Sequence, residues 1–190
     1  MSRWPVDARE RLERAAIELF VEKGFAATTV PEITARAGLT TRTFHRHFAD
    51  KREVLYAGNE IPEFTTRLIA EAPASWTPMR VVVDGLLAVA AARFEGRRED
   101  LRVRREIVRS DPGLGERDLR KWADVGSAGT AAFIARGVEP MRAALLAETA
   151  VTLLRVSVGE WLDSDDDRGL GEILRGAWEA LRDATSLDGP

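Results

Sequence analysis

The chain has 190 residues, of which 45% are apolar and 31% charged, and its formal net charge at pH 7 is −3. This length allows two small domains or one of ordinary size, and the apolar content is sufficient to build a core. The chain contains no cysteine, which excludes disulfides, thiolate catalysis and cysteine zinc sites. Because the sequence shows neither a secretory apolar segment nor a run of about eighteen apolar residues, we expect a cytoplasmic protein that does not span a membrane.

Basic and acidic residues are divided unevenly along the chain. Residues 1–52 hold ten Lys or Arg and seven Asp or Glu, whereas residues 53–190 hold eighteen and twenty-four. A basic end on an acidic body is typical of a protein that contacts nucleic acid with one end only. We therefore predict an N-terminal DNA-binding domain over residues 1–52 and a C-terminal domain over residues 53–190.

The first predicted helix covers residues 7–23. Apolar residues between Ala8 and Phe20 follow the period of an α-helix, and Gly24 ends the pattern. Three arginines near its start either touch phosphates or belong to a solvated terminus; they are Arg3, Arg9 and Arg11.

Two short helices joined by a tight turn come next. Thr29 and Glu32 have the spacing of a capping box, so a helix should begin directly after Thr29. Gly38 suits the left-handed residue that ends such a helix, and Thr40 offers the cap of the next one. Phe44 and the phenylalanine four residues later place an apolar stripe on this second helix.

The opposite face of the second helix is polar and contains no acid; it carries Thr41, Arg42, Thr43, His45, Arg46 and His47. Between Arg36 and Arg52 five basic residues stand against Asp50 alone, in a chain whose net charge is negative. A helix-turn-helix with such a face lays side chains into the major groove of DNA while flanking groups hold phosphates. The alternative is a solvated charged face of a small helical bundle.

Two stretches of this region carry a family pattern. Residues 20–38 follow F-x-x-x-G-F-x-x-T-T-V-x-x-I-x-x-x-A-G, and residues 43–55 read TFHRHFADKREVL. Together they resemble the N-terminal domain of the TetR family of bacterial transcriptional regulators, over about the first third of the chain. The resemblance implies a three-helix DNA-binding domain followed by a helical ligand-binding and dimerisation domain.

The resemblance also implies roles for single residues. Thr41, Arg42, Thr43 and Arg46 would face base edges, and His47 and Lys51 would contact phosphates. His45 stands where the family usually has a phosphate-binding tyrosine, so it would hold a phosphate, a base or both. With the two capping threonines, the predicted DNA-binding set is Thr29, Thr40, Thr41, Arg42, Thr43, His45, Arg46, His47 and Lys51.

The rest of the chain is also predicted to be helical. Asp50 and Glu53 form another capping box, which predicts a helix continuing towards Ala72 with a kink or break near residues 59–61 caused by Pro62. Further helices are predicted over about 78–94, 98–110, 114–135, 140–162 and 169–185. Residues 126–130 are all small, which is useful only where another segment approaches closely. No strand alternation is present, so the predicted fold is all-α with about nine or ten helices.

The resemblance implies an apolar pocket for a small-molecule effector in the C-terminal domain. Arg104 lies among apolar neighbours, so its guanidinium must be paired. The partner is either an acidic effector or an internal acid such as Asp84, Glu95 or Glu148. Aromatic residues at helical spacing line a pocket or simply fill a core. The predicted effector-binding set is Phe64, Met79, Phe94, Arg104, Trp122 and Phe133.

A dimer follows from how such proteins read DNA. One recognition helix reads only a few base pairs, so operator binding needs two, about one helical turn or a multiple apart. The last two predicted helices carry several apolar stripes and would form an intermolecular four-helix bundle, unless those stripes complete the core of a single chain. The predicted dimerisation set is Val151, Leu154, Val158, Trp161, Leu174, Ala177, Trp178 and Leu181.

These features predict a transcriptional regulator. We expect a repressor that binds a palindromic double-stranded DNA operator as a homodimer and is released by a small-molecule effector, although an activator would bind an operator in the same way. The alternative is a helical small-molecule carrier or protein-interaction module without operator binding. Both histidines lie in the proposed reading helix and no nucleophile, phosphate-loop or metal-ligand motif is present, so we predict no enzymatic activity, cofactor or metal.

Overall fold

The computed structural model describes residues 7–56 and 61–185. Within these ranges the chain forms nine α-helices, one short 3₁₀ helix and no strand, which confirms the predicted all-α fold. None of the described helices is long and apolar enough to cross a bilayer. The α-helices are α1 (Ala8–Lys23), α2 (Val30–Ala37), α3 (Thr41–His47), α4 (Ile61–Glu71), α5 (Pro78–Arg93), α6 (Arg98–Arg109), α7 (Pro112–Ala135), α8 (Pro140–Asp163) and α9 (Leu170–Thr185).

The chain folds into two compact units, and the first is discontinuous in sequence. It contains Met1–Asn59 together with Glu99–Asp118, whereas the second contains Glu60–Arg98 and Leu119–Pro190. No sequence pattern indicated that most of α6 and the start of α7 join the N-terminal helices. The predicted division into a DNA-binding domain over residues 1–52 and a C-terminal domain over residues 53–190 stays a prediction.

The first unit has one shared core. α1 buries the positions that its helical period predicted, from Leu12 to Phe20. Ile33 of α2 has no exposed surface. Ile107 of α6 and Leu114 of α7 pack into the same cluster. The segment that returns from residue 99 is therefore part of the apolar core on which the N-terminal helices are built.

The segment after α3 differs from its prediction. The helix expected to start at Asp50 is a 3₁₀ helix, Glu53–Tyr56. The Asp50 carboxylate caps it as expected, because Oδ1 accepts from the backbone N–H of Arg52 at 2.8 Å and of Glu53 at 3.1 Å. The prediction of a long α-helix running from this cap through Tyr56 was therefore wrong.

The described part of α4 begins at Ile61, so Pro62 is its second residue. Proline is tolerated in the first turn of a helix, because the N–H groups there have no partner within the helix. The predicted kink or break near residues 59–61 stays a prediction, because residues 59–60 lie outside the described residues.

In the second unit, α5 packs against α4, α8 and α9, and α8 also packs against α9. The small residues of α7 lie where α8 approaches it. A Cβ placed on Gly129 would lie 3.2 Å from the Cβ of Ala147, and one placed on Gly126 would lie 2.6 Å from the Glu148 carboxylate. The predicted close approach along residues 126–130 is therefore confirmed, and the approaching segment is α8.

Arg136, directly after α7, holds the C-terminal end of α4. Its Nη1 donates to the carbonyl oxygens of Ile69 at 2.8 Å and Ala72 at 2.7 Å, and its Nη2 donates to that of Pro73 at 3.2 Å. Carbonyls at a helix end have no partner within the helix. A side chain more than sixty residues away supplies those partners in the second unit.

Tyr56 gives the first unit a measurable dependence on pH. It is the sole tyrosine of the chain, it is 8% exposed, and its hydroxyl donates to the carbonyl of Leu114 at 3.1 Å. Burial raises the pKa of Tyr56 to about 12. Because this value lies above the ordinary tyrosine pKa of ~10, the associated stability is complete below pH ~10 and is lost as the pH rises through the folded value.

We therefore expect the phenolate absorbance of the native protein to titrate at distinctly higher pH than that of the protein in denaturant. Tyr56→Phe should unfold with about 1 kcal/mol less free energy at neutral pH, from the lost hydrogen bond. Above pH ~10 the free energy of unfolding of this variant should also fall much less than that of the wild type. Identical phenolate titrations in native and denatured protein would contradict this assignment.

Candidate nucleic-acid interface

The predicted helix-turn-helix is formed by α2, a turn and α3. The Glu32 carboxylate accepts from the backbone N–H of Thr29 at 2.9 Å and from its hydroxyl at 2.6 Å. Lys23 of α1 pairs with the other Glu32 oxygen. These hydrogen bonds lower the pKa of Glu32 to about 2, and the one from Lys23 has the largest effect, followed by those from Thr29. Gly38 ends α2 with a φ of 64°, a conformation in which other residues are strained.

α3 is oriented by its apolar side. Thr40 caps the helix, because its hydroxyl accepts from the backbone N–H of Thr43 at 3.2 Å. Phe44 is fully buried and Phe48 is 4% exposed, and their ring centroids lie 5.4 Å apart. This packing leaves the opposite face of α3 to solvent.

The exposed face of α3 carries four of the predicted contact residues: Thr41, Arg42, His45 and Arg46. Their spacing places them on one side of the helix. Thr43 and His47 are half-buried, and His47 Nε2 lies 3.3 Å from Arg46 Nη2. The face therefore offers two guanidinium groups, an imidazole and a hydroxyl, with no carboxylate among them.

The two capping threonines are exposed, but their hydroxyls are already engaged. Thr29 donates to Glu32, and the hydroxyls of Thr40 and Thr43 lie 3.0 Å apart. A contact of Thr29 or Thr40 with DNA stays a prediction.

One arginine counted in the basic surface is neutralised within the protein. Arg36 forms a bidentate pair with Glu22, with two N···O distances of 2.8 Å. The pair raises the pKa of Arg36 and lowers that of Glu22. The exposed arginines near α3 are Arg42, Arg46 and Arg52.

The arginines at the start of α1 form hydrogen bonds within the first unit. Arg9 Nε donates to Glu13 at 3.1 Å. Arg11 Nη2 donates to the carbonyl of Ala37, the last residue of α2, at 2.5 Å. Neither is a freely solvated terminal side chain, and Arg3 lies outside the described residues.

The Lys51 ammonium lies against the loop that joins α1 to α2. Its Nζ donates to the carbonyl oxygens of Phe25 at 2.7 Å, Thr28 at 2.8 Å and Ala26 at 3.3 Å. It also lies 4.3 Å from the centroid of the Phe25 ring. Burial lowers the pKa of Lys51. The family resemblance implied a phosphate contact at this position, whereas the structure shows partners inside the protein.

Arg104 is paired within the first unit. Its Nε donates to the Asp100 carboxylate oxygens at 3.1 and 3.0 Å, and its Nη1 donates to the carbonyls of Val54 at 3.0 Å and Leu55 at 3.2 Å. Glu13 lies 3.9 Å from Nη2, and the Arg104 side chain is 11% exposed. An effector is not needed to satisfy this guanidinium. The internal acids suggested from the sequence were wrong; they were Asp84, Glu95 and Glu148.

The other predicted effector residues belong to the second unit. Phe94 and Phe133 are core residues, 6% and 2% exposed. Phe64, Met79 and Trp122 are half-buried. Phe94 and Phe133 therefore fill the interior, which is the alternative that the sequence left open for such aromatic residues.

The second unit also contains a cleft of about 490 Å³, between α5, the end of α8 and the start of α9. Its apolar lining includes Leu87, Ala90, Trp161 and Leu170, and its exposed charged lining includes Glu95, Asp167, Glu172 and Arg175. None of the predicted effector residues lines this cleft. The sequence pattern missed it because its walls come from the ends of three helices and not from one helical stripe.

Half of the predicted dimerisation residues lie inside the second unit; the buried ones are Val151, Leu154, Trp161 and Leu174. These four side chains pack within a single chain, so their part in a dimer interface stays a prediction. Val158, Ala177, Trp178 and Leu181 are half-buried. The exposed apolar residues of α8 are instead Met141, Leu145 and Val156, at 72%, 63% and 55% exposure.

A capped helix, a left-handed glycine turn and a second helix with an acid-free exposed face define a helix-turn-helix protein. The sequence pattern of the family described as "Bacterial regulatory proteins, tetR family" matches residues 13–57 of the chain. Over these residues the chain is similar to the DNA-binding domain of TetR-family transcriptional regulators.

Three proteins illustrate the likeness. The HTH-type transcriptional regulator TcmR of Streptomyces glaucescens is 32% identical over 119 residues, which cover 60% of this chain and 53% of TcmR, so the chain spans about half the length of that relative. A structure described as a SmeT–triclosan complex is 22% identical with a TM-score of 0.65, over 96% of this chain and 93% of that one. NalD of Pseudomonas aeruginosa is 19% identical with a TM-score of 0.63, over 96% and 98%. The two structural likenesses show that the fold is shared.

Proposed function

We propose that the protein is a repressor that binds a palindromic DNA operator as a homodimer in the cytoplasm and releases it when a small-molecule effector binds. The observation that carries this proposal is the exposed face of α3, with Arg42 and Arg46 and no acid. NalD is described as a secondary repressor of a multidrug efflux pump, and the SmeT structure is a complex with triclosan. The alternative of a carrier or interaction module without operator binding gives no reason for this face.

The exposed residues of α3 have the chemistry of base readout. An arginine can donate two bonds to guanine in the major groove, and a hydroxyl or imidazole can donate or accept. Arg52, at the flank of the reading helix, is exposed. We infer that it contacts backbone phosphate, which positions a protein on DNA without reading its sequence. We infer base contacts for Thr41, Arg42, His45 and Arg46.

We propose that the dimer interface is formed by the exposed side of α8 together with α9. Met141, Leu145 and Val156 are spaced by four and eleven residues, close to whole turns of a helix, so they form one apolar stripe. Next to Val156, a groove of about 560 Å³ between α8 and α9 is lined by the small residues Gly176 and Ala180. Small residues allow another helix to approach closely, so this surface fits a four-helix arrangement between two copies.

For the effector we propose the cleft between α5, α8 and α9. A volume of about 490 Å³ lies within the range of small-molecule sites. The apolar lining with charged residues at its edge is also typical of such sites. A ligand contact of the half-buried residues Phe64, Met79 and Trp122 stays a prediction.

The DNA-binding proposal predicts opposite results for two arginines. Arg46→Ala should lower affinity by about 1–3 kcal/mol for a duplex selected by the wild-type protein from a random pool, and relax preference at particular base pairs. Arg36→Ala is the matched control, since Arg36 is paired with Glu22 and should keep the same preference. Fluorescence anisotropy against the selected duplex and its single-base variants measures both. A wild-type protein that bound no duplex in dilute salt would refute the proposal.

The dimer proposal predicts that a charge on the exposed stripe of α8 prevents association. Val156→Arg and Leu145→Arg should sediment as monomers at protein concentrations where the wild type is a dimer, because an unpaired buried guanidinium is costly. Val21→Arg is the control, since Val21 is 64% exposed on α1 and lies off this stripe. Dimers of unchanged stability in both α8 variants would exclude this surface.

The effector proposal predicts that filling the cleft blocks ligand entry. Ala91 is exposed and lines the cleft, so Ala91→Trp should weaken binding of the dye anilinonaphthalene sulfonate about tenfold or more, which is ~1.4 kcal/mol. Ala131→Trp is the control at an exposed alanine of α7 outside the cleft. Dye fluorescence measures both, and equal dye affinity in the two variants would place the site elsewhere.

A further inference from the structure

We infer that Arg104 is a positioning residue for the reading helix α3: its guanidinium fixes the 3₁₀ helix that follows α3 and so sets how α3 meets a duplex. This inference rests on the proposed DNA binding, and it gives Arg104 a role in the first unit that involves no effector. It follows from the contacts and the burial of the guanidinium and from the place of the 3₁₀ helix in the chain.

The Arg104 guanidinium joins three elements of the first unit. Its Nη1 donates to two carbonyls of the 3₁₀ helix, those of Val54 at 3.0 Å and Leu55 at 3.2 Å. Its Nε donates to the carboxylate of Asp100, one turn earlier on α6, at 3.0 Å. Its Nη2 lies 3.9 Å from the carboxylate of Glu13 on α1. Because the donors of an arginine are held in one plane, a single side chain fixes these elements relative to one another.

Burial restricts Arg104 to partners of this kind. Its side chain is 11% exposed, and a buried charge is costly unless it is paired. The Asp100 and Glu13 carboxylates supply the opposite charge. Carbonyls in the last turn of a helix have no partner within that helix, so Arg104 supplies a donor to each of the two carbonyls that it contacts.

The 3₁₀ helix is the next element after α3, and only residues 48–52 separate the two. Phe48 is 4% exposed, and its ring packs beside that of Phe44 in α3. Asp50 caps the 3₁₀ helix. Val54 has no exposed surface and lies in the same core cluster as the two phenylalanines. A displaced 3₁₀ helix therefore displaces the end of the reading helix.

Reading bases needs more exact placement than binding phosphates. Base contacts require the side chains of α3 at defined positions in the major groove, whereas phosphate contacts attract a duplex of any sequence. The side chains of a binding site must be held within about 0.5 Å of the productive geometry by the residues behind them. Loosening the 3₁₀ helix should therefore reduce discrimination between sequences more than affinity for duplex in general.

The experiment compares Arg104→Lys with Arg109→Lys, so that the net charge of the protein is the same in both variants and in the wild type. Lysine keeps the positive charge beside Asp100 but lacks the planar fork that also reaches the two carbonyls. Arg109 is the matched control, since it lies on the same helix, is 56% exposed and pairs with Glu106 of that helix. Fluorescence anisotropy measures affinity for a random duplex and for the duplex selected by the wild type, at a temperature where circular dichroism shows each variant to be folded.

Arg104→Lys should bind the random duplex as the wild type does. Its ratio of affinities for the selected over the random duplex should fall about tenfold or more, as on the loss of one bidentate base contact. Arg109→Lys should keep the wild-type ratio. A role in stability alone would leave the ratio of the folded Arg104→Lys protein unchanged, and that result would overturn the inference. An equal loss of affinity for both duplexes would also overturn it, and so would an equal loss of discrimination in the two variants.

Hydrogen exchange followed by mass spectrometry gives a second measurement, which does not require DNA. In Arg104→Lys the amides of residues 41–56 should exchange faster than in the wild type, while those of α2 keep their rates. Faster exchange throughout the first unit, or unchanged exchange in residues 41–56, would overturn the inference. If the wild type binds no duplex, the proposed function fails, while the exchange rates still test the hold of Arg104 on the 3₁₀ helix.

A second pair of variants keeps the inference testable if Arg104→Lys does not fold. Asp100→Asn removes the carboxylate charge that orients the guanidinium, and Glu106→Gln is its control, since Glu106 pairs with the exposed Arg109. Asp100→Asn should lose discrimination and exchange faster over residues 41–56, whereas Glu106→Gln should do neither. Equal behaviour of these two variants would overturn the inference.

Discussion

The burial of Phe44 is the constraint on which the candidate interface depends. α3 has only seven residues, far fewer than an isolated helix needs to be stable in water. Its structure therefore comes from the side that packs, where Phe44 has no exposed surface and Phe48 lies beside it. Because those two side chains fix which face is inside, they also fix which residues face outward. The reading surface is thus a consequence of the apolar core beneath it.

Much of this architecture could be predicted from the sequence. Capping pairs, a glycine before a turn and apolar residues at helical spacing are local features, and the structure confirms the helices they predicted around Thr29, Gly38 and Thr40. The periodic residues of α1 are buried as expected. Local patterns succeed here because each helix in the first unit packs a single apolar face.

The sequence could not identify the partners of side chains whose contacts lie far along the chain. Arg104 is satisfied by carbonyls of the 3₁₀ helix about fifty residues away, and Lys51 by carbonyls more than twenty residues away. No spacing rule connects a side chain to a carbonyl at such a separation. The predicted dimerisation residues include both buried and half-buried side chains for another reason. α8 is apolar on more than one side, so its pattern could not tell the face that packs against α5 and α9 from the face that is exposed.

The discontinuous first unit has a consequence for how the protein is made. Tyr56 bonds to Leu114, 58 residues later, and the unit includes residues as far as Asp118. During synthesis the N-terminal helices leave the ribosome first, yet the segment that completes their core emerges only after residues 60–98. The newly made N-terminal helices therefore remain with part of their apolar surface uncovered while about forty residues of the second unit are synthesised.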